Sequence, residues 1–151
     1  MDSTKNLYAF VGQKIYLEQY DPNSNYDDPI SISVDSATGD TIVSRKVSYI
    51  TDRAFDAKYK VLQAVFNDLE TDTIAFKAFD HYGRPEFEKY SMVLLYISKS
   101  ENGEFYFHQK YQFDPLYKGK KNSWVGKNGE SLQKLFDKKK KNVFKARGIF
   151  N

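Results

Sequence analysis

The sequence predicts a mainly β protein, an antiparallel barrel or coiled sheet of five to seven strands with a basic C-terminal helix. Apolar and aromatic residues alternate with a period of two through much of Ala57–Ser98, as they do in half-buried strands. Aromatic residues make up 17% of the chain, a content typical of sheets. The intervals between the predicted strands are too short for the crossovers of a parallel sheet.

The first predicted strand covers Tyr8–Tyr20 and is bent or bulged at Gly12, because glycine within a strand often marks such a site. After a polar loop, alternation over residues 30–34 predicts a short strand. A turn at residues 38–40 then makes this strand the first half of a hairpin, with the second half in residues 42–50.

Three further strands form the predicted core. Residues 51–55 predict a turn, the strand Ala57–Phe66 follows it, and an acidic connection leads into the strand Thr73–Phe79. The segment Met92–Ser98 is apolar almost throughout, which predicts a strand buried on both faces.

The last predicted strand follows a hairpin turn at Glu101–Gly103. One of its faces carries four aromatic residues, Phe105, Phe107, Tyr111 and Phe113. His108 alternates with this set, so we expect its ring on the opposite face, toward solvent or a groove.

Charge sets the last part of the chain apart. Residues 118–151 contain eleven basic and two acidic residues, a net charge of +9, whereas residues 1–117 contain twelve basic and eighteen acidic residues, a net charge of −6. We expect one domain over residues 1–151, made of a barrel at 8–117 and a basic appendage at 118–151.

The basic appendage predicts a helix. Apolar residues near helical spacing place it at about residues 130–147, with Asn128 or Ser131 as its N-cap and Gly148 as its end.

Composition excludes several classes of protein. The chain has no cysteine, which rules out disulfides, thiolate metal sites and a cysteine nucleophile. The longest apolar run, Met92–Ile97, is too short for a transmembrane helix. The polar start lacks the regions of a signal peptide, and it favours a mature periplasmic or secreted chain, including a trimmed lipoprotein, over a cytoplasmic protein.

Three strands carry a resemblance to a known family. The order VLQAVFND (Val61–Asp68), DTIAF (Asp72–Phe76) and VLLYIS (Val93–Ser98) resembles the OB-like barrel of netrin-type modules and tissue inhibitors of metalloproteinases, particularly their cysteine-free bacterial relatives. The resemblance covers residues 8–117 and implies a barrel that binds partners. The cysteine-bearing N-terminus of those inhibitors has no counterpart here, so inhibition of metal enzymes is not implied.

The densest polar cluster is the loop that contains Asp80, His81, Tyr82 and Arg84. An imidazole beside a carboxylate can transfer protons, so one hypothesis is a hydrolase centred on His81. The alternative is a structural turn in which Gly83 takes a positive φ and Asp80 caps backbone N–H groups. No nucleophile lies at a fixed spacing from the cluster, which favours the turn.

We predict no metal, no cofactor and no enzymatic activity. The two histidines, His81 and His108, leave few ligand sets for zinc in a chain without cysteine. Residues 21–27 match the start of a calcium loop, but the required glycine and bidentate glutamate are missing. Nucleotide-binding and hydrolase motifs are missing as well.

The basic tail is the second candidate surface, with Trp124 and the four lysines Lys138, Lys139, Lys140 and Lys141. Cations beside a stacking ring suit a single-stranded nucleic acid, and they suit an acidic protein or anionic lipid headgroups as well. The remaining interpretation is a helix face that is solvated or that pairs with the acidic residues of the barrel. The negative net charge of the barrel argues against nucleic acid.

Together these features predict a non-catalytic bacterial binding protein that docks on a partner protein, as an inhibitor or a toxin-immunity factor. One alternative is a single-stranded nucleic-acid binder that uses the basic tail. The other is an unrecognised hydrolase centred on His81.

Overall fold

The computed structural model describes residues 4–21, 30–34, 41–45 and 52–150. Its strands and helices, in chain order, are β1 Tyr8–Tyr20, β2 Ile30–Val34, β3 Thr41–Arg45, β4 Arg53–Phe66, β5 Thr73–Asp80, β6 Met92–Lys99, β7 Tyr106–Pro115, β8 Tyr117–Lys118, β9 Trp124–Val125, α1 Leu132–Lys141 and α2 Val143–Ala146. The turn predicted at 38–40 lies outside the described residues, as does the calcium-like loop beyond Asp21.

Five strands close into a barrel in the order β1-β4-β5-β7-β6. Neighbouring strands are antiparallel except β5 and β7, which pair in parallel at Lys77 and Phe107. A ring with an odd number of strands cannot alternate in direction all the way round, so one parallel pair is unavoidable. The predicted barrel of five to seven strands is confirmed, but it is mixed because of this one parallel pair and not antiparallel throughout.

The strand boundaries follow the predictions except before β4. That strand begins at Arg53, so the turn predicted at 51–55 is wrong for Arg53–Phe55. Ala54 and Phe55 pair with β5 and are fully buried, and this pairing extends the strand toward its start. The predicted pairing of residues 30–34 with the following strand is confirmed for β2 and β3, which form a two-stranded sheet of their own. Residues 46–50 of the predicted second half lie outside the described residues.

Strand β6 is buried on both faces, as predicted. Val93, Leu95 and Ile97 belong to the apolar cluster of the barrel. Met92, Leu94 and Tyr96 alternate with them and belong to a second apolar cluster, which includes side chains of the C-terminal helices. The C-terminal helices therefore cover one outer face of the barrel.

Gly12 leaves room for a neighbouring side chain of the barrel interior, because a Cβ atom at this position would lie 2.9 Å from the Phe10 ring. The pairing of β1 with β4 shifts register beside Gly12, where the irregularity was predicted. The extra residue, however, is Leu62 of β4 and not a residue of β1.

The predicted C-terminal helix is interrupted at Asn142, whose φ of −108° and ψ of −93° separate α1 from α2. The side chain of Ser131 caps α1 by accepting a hydrogen bond from the Lys134 backbone N–H. The break lets α2 place Phe144 in the second apolar cluster, with its ring 5.1 Å from that of Tyr96. Gly148 ends the segment at a φ of +78°.

Candidate functional site

Strand β7 carries a large bulge, Gln109–Gln112, which we call the β7 bulge. Leu95 and Ile97 of β6 are two residues apart, whereas their partners on β7, Phe113 and His108, are five residues apart. The extra residues depart from the regular ladder, and Tyr111 among them has a φ of +67°. A positive φ is rare for a bulky residue and marks a strained backbone.

His108 holds the β7 bulge from inside the barrel. Its Nε2 lies 2.7 Å from the carbonyl oxygen of Gln112. Burial lowers the pKa of His108 to about 4, so the ring is neutral at pH 7 and Nε2–H donates to that carbonyl. The imidazole packs against Phe87, with ring centroids 4.6 Å apart.

The prediction that His108 faces solvent or a groove is therefore wrong, because the residue is 4% exposed. Tyr106 and His108 point inward before the bulge, and Phe113 packs against the same apolar cluster after it. The bulge changes which alternate residues face inward, so one period-2 pattern cannot describe the whole strand.

Arg147, which follows α2, holds the β7 bulge from outside. Its guanidinium donates to the backbone oxygen of Lys110 at 2.8 Å and to the side-chain oxygen of Gln109 at 2.9 Å. The bulge is thus fixed by a buried histidine on one side and by a cation of the C-terminal segment on the other.

Asp80 and Arg84 of the predicted loop have structural roles. Asp80 is the buried last residue of β5 and accepts a hydrogen bond from the Tyr82 backbone N–H at 2.8 Å. Arg84 pairs with Glu88 and donates to the Leu17 carbonyl oxygen at 2.9 Å. These contacts support the structural turn, in which Gly83 has a φ of +145°.

Glu88 pairs with both Arg84 and Lys14, and we call these three residues the Glu88 clamp. Hydrogen bonds from Arg84 and then Lys14 lower the pKa of its carboxyl to about 2. The clamp holds the short 3-10 turn Glu86–Lys89, which inserts Phe87 among the rings of the barrel interior.

His81 and Tyr82, in contrast, reach the β7 bulge. The His81 backbone N–H donates to the hydroxyl of Tyr111 at 3.2 Å, and the rings of Tyr82 and Tyr111 lie 6.0 Å apart. Tyr82 is 85% exposed and Tyr111 43%. Asp52 accepts from Lys110 and lies 3.3 Å from Nδ1 of His81. The hydrogen bond from Lys110 is the largest cause of the lowered pKa of Asp52.

We call the set His81, Tyr82, Lys110, Tyr111 and Arg147 the loop-bulge surface. Sequence reasoning singled out His81 and Tyr82 and missed the other three as site residues. The bulge that brings them together depends on the register between β6 and β7, and no periodicity in the sequence marks that register.

The basic tail forms a lobe, residues 118–150, against the barrel. On α1, Lys139 donates to the side-chain oxygen of Gln112 at 3.1 Å, and the Lys140 ammonium lies 5.2 Å from the Phe150 ring. Trp124 is half-buried, with the Lys118 ammonium 4.6 Å from its ring.

The cations of the basic lobe form no ion pair with a carboxylate within the described ranges. The six ion pairs found there use Lys14, Lys77, His81, Arg84, Lys89 and Lys110, all of which precede the lobe. Lys139 and Lys138 nevertheless act on the carboxyl of Asp114 in β7, where their charges oppose the rise in pKa that burial causes. The interpretation that the tail faces acidic residues of the barrel is therefore supported at Asp114, although without an ion pair.

A groove of about 290 Å³ lies between β7 and the C-terminal helices, lined in part by Gln112, Asp114, Lys138 and Lys139. The Tyr96 hydroxyl donates to the Asp114 carboxylate at 2.7 Å, and burial raises the pKa of that carboxyl. Because Gln112 belongs to the β7 bulge, its contact with Lys139 links the loop-bulge surface to α1.

Two kinds of feature are missing from the described residues. These residues contain no group of three or more His, Asp and Glu side chains placed to hold a metal ion. Nor does this part of the chain include a helix with the length and apolar character needed to cross a membrane.

Comparison with protein-family models, with curated proteins and with solved structures found no match to this chain. The resemblance to netrin-type modules therefore stays a prediction.

Exchanging Tyr111 for asparagine tests whether the bulge is strained. We expect Tyr111→Asn to leave the free energy of unfolding unchanged or to raise it by up to about 1 kcal/mol, because asparagine tolerates a positive φ that costs tyrosine roughly 1–3 kcal/mol. Chemical denaturation provides the measurement. Tyr117→Asn is the control, since Tyr117 is 44% exposed and lies in β8. A loss above about 1 kcal/mol from Tyr111→Asn alone would contradict the assignment of strain.

Proposed function

We propose that this protein is a non-catalytic binding protein that docks on an acidic partner protein through its basic lobe, in a role such as an inhibitor or a toxin-immunity factor. The observation that carries the proposal is that no lobe cation forms an ion pair with a carboxylate in the described ranges, although Lys138 and Lys139 act on Asp114 from a distance. Cations left unneutralised by their own protein attract an acidic surface and accelerate its association.

The hydrolase hypothesis has less support. Asp80 and Arg84 are engaged in structural hydrogen bonds, and burial keeps His108 neutral inside the barrel. Within the described residues, the recorded contacts of His81 are with Asp52, Tyr82 and Tyr111, and no serine or threonine hydroxyl is among them. A working base needs its nucleophile within hydrogen-bond reach.

Single-stranded nucleic acid is the second candidate ligand, and one observation favours it. On the outer face of the barrel, the Lys77 ammonium lies 4.5 Å from the Tyr20 ring, and Tyr16 is paired with Lys58. OB folds bind oligonucleotides on the face of their second and third strands, here β4 and β5. However, Lys77 forms an ion pair with Asp56 at 3.1 Å, and Glu18 lies opposite Asp56, so this face offers a phosphate backbone little free positive charge. We therefore rank the protein partner first.

Replacing Lys138, Lys139, Lys140 and Lys141 with glutamine tests the basic lobe. We expect affinity capture with the native protein, from untreated and nuclease-treated portions of one lysate, to retain in both an acidic protein that the variant loses, because the variant lacks the charges that attract it. Mass spectrometry identifies the protein, and the absorbance ratio of the eluate reports nucleic acid. A matched control replaces Lys58 and Lys60, which lie on the outer face of β4.

Binding of oligo-dT tests the alternative, in which the basic lobe binds single-stranded nucleic acid. If the four lysines contact phosphates, affinity should fall with salt at a log-log slope of about −0.7 per contact, and the glutamine variant should flatten that slope. Tight binding of oligo-dT at physiological salt, with loss of the retained protein after nuclease treatment, would replace the protein partner with nucleic acid.

A further inference from the structure

We propose that the loop-bulge surface is the anchor point for an acidic peptide segment that carries an aromatic side chain. The inference rests on the proposed function and specifies the partner that docks there. In it, Tyr82 and Tyr111 contact the aromatic side chain, while Arg147 and the lysines of α1 attract the acidic residues around it.

The first support is the strained backbone of Tyr111, which the surrounding contacts keep at a positive φ. The four residues of the β7 bulge lie opposite a single residue of β6, and the backbone of Tyr111 is strained. Buried His108, Arg147 and Tyr111's own hydrogen bond with His81 all fix the bulge. Strained residues over-determined by their surroundings occur preferentially at binding sites and active sites.

The second support is the chemistry of the two rings. Tyr82 and Tyr111 are exposed, and their rings form a tilted pair with planes at 35°. Exposed tyrosines on a rigid backbone bind aromatic side chains with little loss of conformational entropy, and tyrosine is enriched among the residues that dominate protein interfaces.

The third support is charge complementarity. Arg147 contacts the bulge through neutral oxygen atoms of Gln109 and Lys110. Lys139 likewise donates to the neutral side chain of Gln112. Neither cation forms an ion pair with a carboxylate among the described residues, although the charge of Lys139 acts on Asp114. Both contact residues of the β7 bulge, which contains Tyr111. An acidic segment seated across the bulge would meet both charges.

Two synthetic peptides test the inference. One is rich in glutamate with interspersed tyrosines, and the other has serine in place of each tyrosine, so the two carry equal charge. We expect the full-length protein to bind the tyrosine peptide about three- to tenfold more tightly by fluorescence anisotropy, because an aromatic contact supplies an advantage of this size. Tyr82→Ser and Tyr111→Asn should each reduce that advantage. Tyr16→Ser should preserve it, because Tyr16 is an exposed tyrosine of β1 outside the loop-bulge surface.

The outcomes separate this inference from the proposed function. Equal affinity for the two peptides, with both lost when the four α1 lysines become glutamine, would overturn the aromatic anchor and leave the basic lobe as the docking site. Binding of neither peptide at physiological salt would contradict both proposals. Oligo-dT that binds more tightly than either peptide, and loses affinity in Tyr111→Asn, would assign the surface to nucleic acid instead.

Discussion

Replacing Phe144 with alanine should lower the free energy of unfolding by about 3–5 kcal/mol, the usual loss for a buried phenylalanine. Phe144 is fully buried between the C-terminal helices and the barrel, with its ring against Tyr96. Denaturant unfolding monitored by circular dichroism measures the change. The result would show that the basic lobe and the barrel unfold as one unit.

The matched control is Lys145→Ala, because Lys145 is the exposed neighbour of Phe144 on α2. We expect this control to change stability by less than about 0.5 kcal/mol. A loss below about 1 kcal/mol for Phe144→Ala would instead indicate that the packing of the lobe contributes little to the stability of the barrel.

Acidification should destabilise the protein through His108. Its pKa falls from 6.5 to about 4 on folding because burial penalises the charged ring. The unfolded chain therefore binds more protons between these values, so stability is fully present above pH 6.5 and is lost as the pH falls toward 4. The shift corresponds to roughly 3 kcal/mol.

Denaturant midpoints measured at intervals from pH 7 to pH 4 test this expectation. His108→Gln is the control, since its amide can donate to the Gln112 carbonyl and does not titrate in this range. The variant should show a flatter pH profile. Equal slopes in the native protein and the variant would remove His108 as the cause, and would point to other groups such as Glu88, whose depressed pKa acts only below its ordinary value of 4.5.

The barrel strands were predictable because apolar residues occupy the strand positions that are buried. Val93, Leu95 and Ile97 alternate with Met92 and Leu94, and both sets are apolar because one faces the barrel interior and the other faces the C-terminal helices. Gly12 marked the register shift between β1 and β4, and a Cβ atom there would crowd the Phe10 ring. Such local signals remain visible in a single sequence.

The candidate site was predictable only in part. His81 and Tyr82 lie in a loop with turn residues, and such a loop is visible in the sequence. Tyr111 and Lys110 join them through a shift in the β6–β7 register, which depends on contacts between distant parts of the chain. Because of the same shift, His108 faces the barrel interior and not the solvent or groove that was predicted. The helix break at Asn142 also depends on tertiary contacts, because it allows Phe144 to pack against the barrel.

Chemical-shift mapping tests the central claim most directly. The labelled full-length protein is titrated with the tyrosine-containing glutamate peptide at physiological salt, and shifts of backbone amides are followed. We predict shifts concentrated at Tyr82, Lys110, Tyr111, Arg147 and 138–141, with Lys58 and Lys77 on the outer face of β4 and β5 unchanged. Shifts confined to that outer face, or no shifts at saturating peptide, would contradict docking through the basic lobe.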